Sequence, residues 1–156
     1  MPVIRPYDPT PAYMFGVEIE GQSVGIFTEC KGINMEREVE EYKEGGANDL
    51  TMQFPGRVKI GRLILKRGVM TNAGLWDWFN IGIYNGQVKK VNMSVKVFRR
   101  ARELEDKEYK LIQRWDLTSC WPVKYEGPEL SAESVQPAVE SMEIAWDGLA
   151  FSSDFT

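Results

Sequence analysis

Apolar residues recur at every second position in segment after segment of this chain, and at helical spacing in one place. Phe15, Val17 and Ile19 alternate with Gly16, Glu18 and Glu20, and Val24, Ile26 and Thr28 alternate with Gly25, Phe27 and Glu29. Val91, Met93, Val95 and Val97 alternate with Asn92, Ser94 and Lys96. Tyr109, Leu111, Trp115, Leu117 and Trp121 share one parity of a long segment, and Met142, Ile144 and Trp146 share a face opposite Ser141, Glu143 and Asp147. A strand turns successive side chains to opposite faces, so this pattern writes half-buried strands. Gly21 lies between the first two and marks a hairpin turn. Strands at this spacing, with turn signals between them, predict a mainly β fold: an antiparallel barrel or sandwich.

The exception covers residues 72 to 84. Leu75, Trp76, Phe79 and Ile83 fall at i, i+1, i+4 and i+8, which predicts one flanking helix. Thr71 or Asn72 can cap its first amides, and Asn85-Gly86 can close it in a left-handed turn. Trp76, Trp78 and Phe79 read as core anchors plugging the sheet rather than as a ligand-stacking cluster. Residues 34 to 44 fit two periods. As a helix, Met35, Val39 and Tyr42 line up; as a strand, Glu36, Glu38 and Glu40 share a face opposite Met35 and Val39. So many glutamates are unfavourable in a strand, and local propensity leans to the helix.

Composition excludes more than it proposes. The chain has 156 residues, near the commonest domain size, and is read as a single domain from 1 to 156. It contains no histidine, which removes Ser-His and Cys-His nucleophile pairs and the commonest metal ligand. Cys30 and Cys120 lie too far apart in sequence, without partners at ligand spacing, to suggest a zinc site. They read as buried thiols, although pairing is open on sequence alone. No glycine-rich segment has a phosphate-cradling form. The carboxylates of Glu36, Glu38 and Glu40 would all point one way from one strand, unlike a glycosidase pair. No enzyme, cofactor or metal is expected. The net charge of −4 argues against nucleic acid as a main partner. The one basic cluster, Arg99, Arg100 and Arg102, is followed at once by Glu103, Glu105 and Asp106, as at a solvated hairpin tip. Met1 to Tyr13 is proline-rich, with no apolar run of the signal-peptide kind, and reads as an extended arm. No run approaches the ~20 apolar residues of a membrane span.

The stretch from Lys43 to Arg57 stands apart. Lys43-Glu44-Gly45-Gly46-Ala47-Asn48 is polar and glycine-rich, and Leu50, Met52 and Phe54 alternate along the returning arm before Pro55-Gly56. A long loop without catalytic groups commonly exists to touch something. A small carbohydrate- or lipid-binding β-barrel is the alternative, but the aromatic residues fall on core faces rather than around a pocket.

In order along the chain come Phe15-x-Val17-x-Ile19-x-Gly21, Gly25-x-Phe27-x-Glu29-Cys30-x-Gly32, Glu36 and Glu38. Glu41-Tyr42-Lys43-Glu44-Gly45-Gly46-x-Asn48, Pro55-Gly56-x-x-Lys59 and Leu65-Lys66-Arg67-Gly68 follow, then Trp76-x-Trp78, Gly86, Asn92, Trp115, Pro122-x-Lys124-Tyr125 and Gly127-Pro128. Over residues 14 to 149 this resembles the inner tube proteins of contractile injection systems and contractile phage tails. One departure is Trp146, where such proteins often carry a histidine before the final acidic-Gly-Leu.

The resemblance implies a small β-barrel or sandwich with one helix, and homohexameric rings stacked into a hollow tube inside a contractile sheath. It implies sheath, baseplate or spike, and tube-terminating proteins as partners, and effector cargo in the lumen. Assembly is expected in the bacterial or archaeal cytoplasm, with the finished particle acting outside the cell. It also implies a strand over residues 33 to 42, against the local lean to helix. On that strand Glu36, Glu38 and Glu40 are expected to line the lumen. Lys43, Glu44, Gly45, Gly46, Asn48, Leu50, Met52, Phe54, Pro55 and Gly56 are expected to form the ring-to-ring contact.

Overall fold

The longest strand, β8 (Tyr109–Glu126), organises the fold of this computed structural model. The structure describes residues 14–23, 27–43, 45–46, 50–68, 74–100, 109–133 and 135–153. Along one edge of β8 lies β7 (Val91–Arg100), paired from Tyr109 to Cys120. Along the other edge lie β10 (Gly148–Ser153), over Gln113 to Thr118, and β9 (Val139–Ala145), over Trp121 to Glu126. Where those two meet, the Asp147 amide donates to the Thr118 carbonyl at 3.0 Å. β1 (Met14–Ile19) and β2 (Gln22–Ser23) extend the sheet beyond β7; β6 (Leu63–Gly68) and β3 (Glu29–Lys31) extend it beyond β9. The order β2-β1-β7-β8-β9-β6-β3 is antiparallel throughout and open at both ends, so the strands do not close into a barrel.

The two wings of this sheet share one core, as in a sandwich. Val17, Met93, Val95 and Leu117 come from one wing; Leu63, Leu65, Met142 and Ile144 come from the other. Each such side chain stabilises by roughly 1.5–3 kcal/mol relative to exposure. The alternation on β1, β7 and β9 therefore reports burial as expected, and Trp146 also lies in the core. Its indole N–H finds no acceptor there.

β8 departs from its expected parity. Met93 pairs with Leu117 but Val91 pairs with Cys120, so an extra residue bulges out of β8, and Ser119 takes a φ of 53°. A bulge moves every later side chain to the other face. Cys120 is fully buried in consequence, and Trp121 turns away from the side that Leu117 occupies. Of the expected strand over residues 24 to 28 only the last two residues are described. Residues 24–26 lie outside the described part, Phe27 rather than Thr28 is buried, and the Thr28 amide donates to the Lys66 carbonyl at 2.8 Å.

The helix α1 (Gly74–Asn85) ends at Gly86, whose φ of 67° is the left-handed turn expected there. Thr71 and Asn72 lie outside the described residues. Trp78 enters the core, with its indole N–H donating to the Lys89 carbonyl at 3.3 Å, and Phe79 packs against that core. Trp76 is half exposed and meets the Tyr125 ring edge-on at 5.2 Å. Two helical positions apart from Trp78, it cannot share that inward face.

Behind Tyr125 stands a buried charge pair. Arg67 on β6 donates from Nε to Glu140 on β9, and the Tyr125 hydroxyl donates to the other Glu140 oxygen at 2.7 Å. That bond, and burial, push the Tyr125 phenol above its ordinary range. The network pins β6, β8 and β9 together beneath the helix. Among the described residues no helix is long and apolar enough to cross a membrane, and no cluster of acidic or thiol side chains has metal-holding geometry.

Candidate functional site

The segment that fits two periods is a strand. β4 (Met35–Lys43) pairs with β5 (Thr51–Ile60) in a separate two-stranded sheet. The lean toward helix is overturned because ladder hydrogen bonds along nine residues outweigh a propensity difference that spans ~1 kcal/mol per position. The stretch expected as a loop from Lys43 to Arg57 is thus mostly strand, with its reversal confined to the tip.

β3, β4, β5 and β6 form one long hairpin. Its base, β3 with β6, belongs to the body, while β4 with β5 projects from it as an arm. Between them is a waist. The Asn34 amide donates to the Gly32 carbonyl at 2.9 Å, and the Gly61 amide donates to the Asn34 carbonyl at 3.0 Å. Gly32 has a φ of 93°, and a Cβ there would stand 1.8 Å from the Arg62 carbonyl oxygen, so only glycine lets the strands cross this closely. The arm packs mainly on itself; among the described elements its principal contacts run between β4 and β5. At about 3.3 Å per residue, its nine-residue strand reaches roughly 30 Å from the waist.

Register decides what each face of the arm carries, because directly paired residues share a face. On one face Met35 pairs with Ile60 and Arg37 with Val58; on the other Glu36 pairs with Lys59. Beyond Arg37 the register slips. Val39 pairs with Pro55, Glu40 with Phe54 and Tyr42 with Met52, so Gly56 and Arg57 together oppose Glu38. A Cβ at Gly56 would stand 3.0 Å from the Glu38 carbonyl oxygen and 3.3 Å from Glu40 Cγ, so a side chain there would crowd the bulge and push its neighbours aside by a few tenths of an ångström.

The slip divides the apolar residues of β5. Met52, Phe54, Val58 and Ile60 share one parity in sequence, yet Val58 and Ile60 face one way and Met52 and Phe54 the other. The arm therefore carries two apolar patches. The base patch is Met35, Val39, Val58 and Ile60; the tip patch is Tyr42, Met52 and Phe54 on the opposite face. All seven are exposed, from 37% at Ile60 to 60% at Val39.

Glu36, Glu38 and Glu40 share the face opposite the base patch, as expected for a strand. Lys59 pairs with Glu38 at 2.5 Å, with both side chains well exposed, and the face remains acidic. Of the residues expected at the tip, Lys43 pairs with Thr51, Gly45 and Gly46 turn in the open, and Leu50 is 71% exposed. Glu44 and Asn48 lie outside the described residues. Pro55 shares a face with Val39, away from Phe54. The base patch was missed as a unit in the sequence, although Val58 and Ile60 continue the alternation of Met52 and Phe54.

The family model for the T4-like virus tail tube protein gp19 matches residues 11–150. The chain belongs to that tail tube family. No curated protein matches it. Among solved structures, a chain of the extended sheath-tube complex of the extracellular contractile injection system PVC superposes with a TM-score of 0.81 at 23% identity, over 95% of this chain and 94% of that one. A chain of the anti-feeding prophage tube terminating cap gives 0.82 at 22% identity, over 97% and 95%. Hcp1 from Flavobacterium johnsoniae gives 0.54 at 13% identity, over 91% and 97%. At these identities the likeness is one of fold: an open tail-tube sheet with one helix.

Proposed function

We propose that this tail tube protein is the repeating subunit of the inner tube of a contractile, phage-tail-like injection particle. Residues 1 to 156 act as one tube domain, assembling as homohexameric rings that stack into a hollow, rigid tube. The observation that carries this reading is the arm: in the isolated subunit seven apolar side chains on it stand exposed, away from the core. A pattern this ordered is an interaction surface that other copies cover. A ring needs a heterologous contact whose rotation closes on itself, and a stack needs a second contact along the axis.

The tip, from Lys43 to Gly56, makes the ring-to-ring contact through Leu50, Met52 and Phe54. Glu36, Glu38 and Glu40 line the lumen, giving cargo a wet, acidic wall. The partners are a sheath outside the tube, a baseplate or spike at one end and a terminating protein at the other. Assembly takes place in the producing cell's cytoplasm, and sheath contraction drives the tube into a target envelope. The role is structural, without catalysis. A carbohydrate- or lipid-binding module fits less well: the cleft beside the 127–137 loop is lined by Lys66, Glu126, Glu129, Ser131 and Gln136, not by aromatic walls.

Negative-stain microscopy of the purified protein tests the reading, with rings or tubes expected and a lasting monomer counting against it. Deleting residues 46 to 54 should leave a folded subunit that cannot stack. Charge reversal at Glu36, Glu38 and Glu40 should alter cargo loading while tubes persist.

A further inference from the structure

The buried face shared by β6 and β9 has one position out of character. Leu63 pairs with Ile144 and Leu65 with Met142, and the next pair in the same row is Arg67 with Glu140. Arg67 is 1% exposed and Glu140 8%, so a charged pair occupies a place built for an apolar one. From β8 the Tyr125 hydroxyl donates to the second Glu140 oxygen. Replacing a buried ion pair by well-packed apolar side chains is often neutral or stabilising, so net stability does not account for its presence. What a charged pair supplies and an apolar pair does not is register.

Alternation protects these strands against a slip of one residue, which would turn every buried side chain out to water. It is blind to a slip of two. Sliding β6 by two residues along β9 keeps the ladder and keeps Leu63 and Leu65 inside. In one direction Leu65 would then face Glu140; in the other Arg67 would face Met142. Either way a buried charge loses its partner, which is the costly outcome for such a pair. No tight turn sets this register, because 73 positions separate Arg67 from Glu140 in sequence. The Arg62–Glu143 contact at 3.3 Å belongs to the same register, but it lies on the outer face, where such pairs contribute little.

We propose that Arg67, Glu140 and Tyr125 form a register key. They are positioning residues: they hold β6 at one place along β9 and so fix the height at which the arm leaves the body. β6 starts at Leu63, directly after the waist at Gly61 and Arg62, and β3 travels with it as the base of the same hairpin. A two-residue slip would carry the waist, and the arm with it, about 7 Å along the body. The register claim stands on the subunit alone; its consequence for assembly rests on the tube reading above. Identical copies that close a ring must present their arms at one height, and a mixture of heights cannot close.

Cysteine pairs on the opposite face read the register. K66C/S141C joins directly paired positions, whereas I64C/S141C and K66C/E143C join only if β6 slips by two residues, in one direction or the other. After mild oxidation, peptide mass spectrometry identifies the joined cysteines, including any that involve Cys30 or Cys120. With the trio intact, only K66C/S141C is expected to join. R67M/Y125F/E140L replaces the trio by apolar side chains. At least one slipped pair is expected to join at least tenfold more in that background, with circular dichroism and the unfolding midpoint at wild-type values. The assembled fraction in sedimentation velocity is expected to fall at least tenfold. R67M/E140Q keeps an acceptor for the Tyr125 hydroxyl and gives the same reading should the triple variant not fold. Arg67→Lys keeps a cation opposite Glu140 and is expected to hold the register. Slipped pairs at the wild-type level in the folded trio variants overturn the proposal, as does slippage with the trio intact. Failure of both variants to fold overturns it too, since the trio would then hold the fold rather than choose among its registers. Slippage without loss of assembly overturns the link to the arm. A wild-type chain that forms neither rings nor tubes overturns the tube reading instead, and the crosslinking still decides the register claim.

Discussion

β5 and β6 follow one another in the same long hairpin, and both alternate apolar with polar residues, yet they meet opposite fates. β6 buries Leu63 and Leu65 completely; β5 exposes Met52, Phe54, Val58 and Ile60. The waist at Gly32 and Arg62 divides them. Below it a second layer of sheet covers the apolar face; above it none of the other described elements does. Alternation in a sequence identifies residues that need cover. Whether the cover comes from the same chain or from another copy is a property of topology, and here it changes within two residues.

The sharpest way to break the comparison is to truncate side chains in each region in turn. Arg67→Ala strands the Glu140 carboxylate inside the body, and a broken buried pair costs about 3–5 kcal/mol. Leu65→Ala, a cavity in the same wing, costs about 2–5 kcal/mol. Met52→Ala on the arm should move subunit stability by no more than about 0.5 kcal/mol, as for other exposed positions. Denaturant midpoints of the three variants decide this, measured below the concentration at which rings form. A loss in M52A comparable to that in L65A would show that the arm is held by its own body.

The next effect lies at the boundary. Gly32→Ala forces an L residue into the left-handed region, which costs about 1–2 kcal/mol, and drives its Cβ into the Arg62 carbonyl. No side-chain rotation relieves a clash with backbone, so the strands at the waist must separate and the arm must change direction. The melting temperature should fall modestly while ring assembly fails outright. An alanine variant that assembles normally would show that arm direction is set elsewhere.

How far the sequence foretold this division depends on bulges. The body strands β1, β7 and β9 were legible because their apolar residues keep one parity from end to end, and the helix because its stripe is unlike everything around it. β8 was misread at Ser119, and the bulge at Gly56 was not foreseen. One inserted residue reverses faces without leaving any trace in the alternation itself, so Trp121 seemed to belong with Leu117, and nothing in the sequence separates Val58 from Phe54. β4 leaned to helix because propensity counts glutamates one by one, while pairing with β5 acts on the whole segment. At the candidate site, Leu50, Met52 and Phe54 were visible as apolar residues in a polar stretch. The base patch was not, because its four members come from two strands and share a face only through the register.

pH probes both regions at once, since one thiol sits at the foot of the arm in β3 and the other in the body. Burial pushes Cys30 and Cys120 each from 9.0 up to about 11. The folded chain thus holds these protons more tightly than the unfolded one. Their contribution to stability is complete below pH 9 and is lost as pH rises from about 9 towards 11. Tyr125, raised through its bond to Glu140, works in the same direction as pH rises above 10. Unfolding midpoints should stay level from pH 7 to 8.5 and fall above 9. A thiol reagent at pH 8 should modify the native protein slowly and the denatured protein at both positions. Fast labelling of Cys30 alone would show that the foot of the arm opens independently of the body.

The smallest effect is expected on the arm's charged face. Lys59 and Glu38 meet at 2.5 Å but keep 69% and 40% of their side-chain surface in water. Exposed pairs of this kind contribute about 0–1 kcal/mol, because screening and lost side-chain entropy offset the attraction. Lys59→Gln should therefore leave the unfolding midpoint of the subunit within error of wild type. It also removes the positive charge facing Glu36, Glu38 and Glu40. If that face lines a pore with six-fold repetition, the substitution concentrates uncompensated carboxylates around one axis, and the cost appears only on assembly. Ring formation should then become more salt-dependent, with weaker rings at low ionic strength that recover as added salt screens the repulsion. A subunit melt and a salt titration of ring mass on the same variant separate the two scales. Equal salt dependence in wild type and K59Q would mean that the acidic faces do not approach one another, and would move the glutamates away from the lumen.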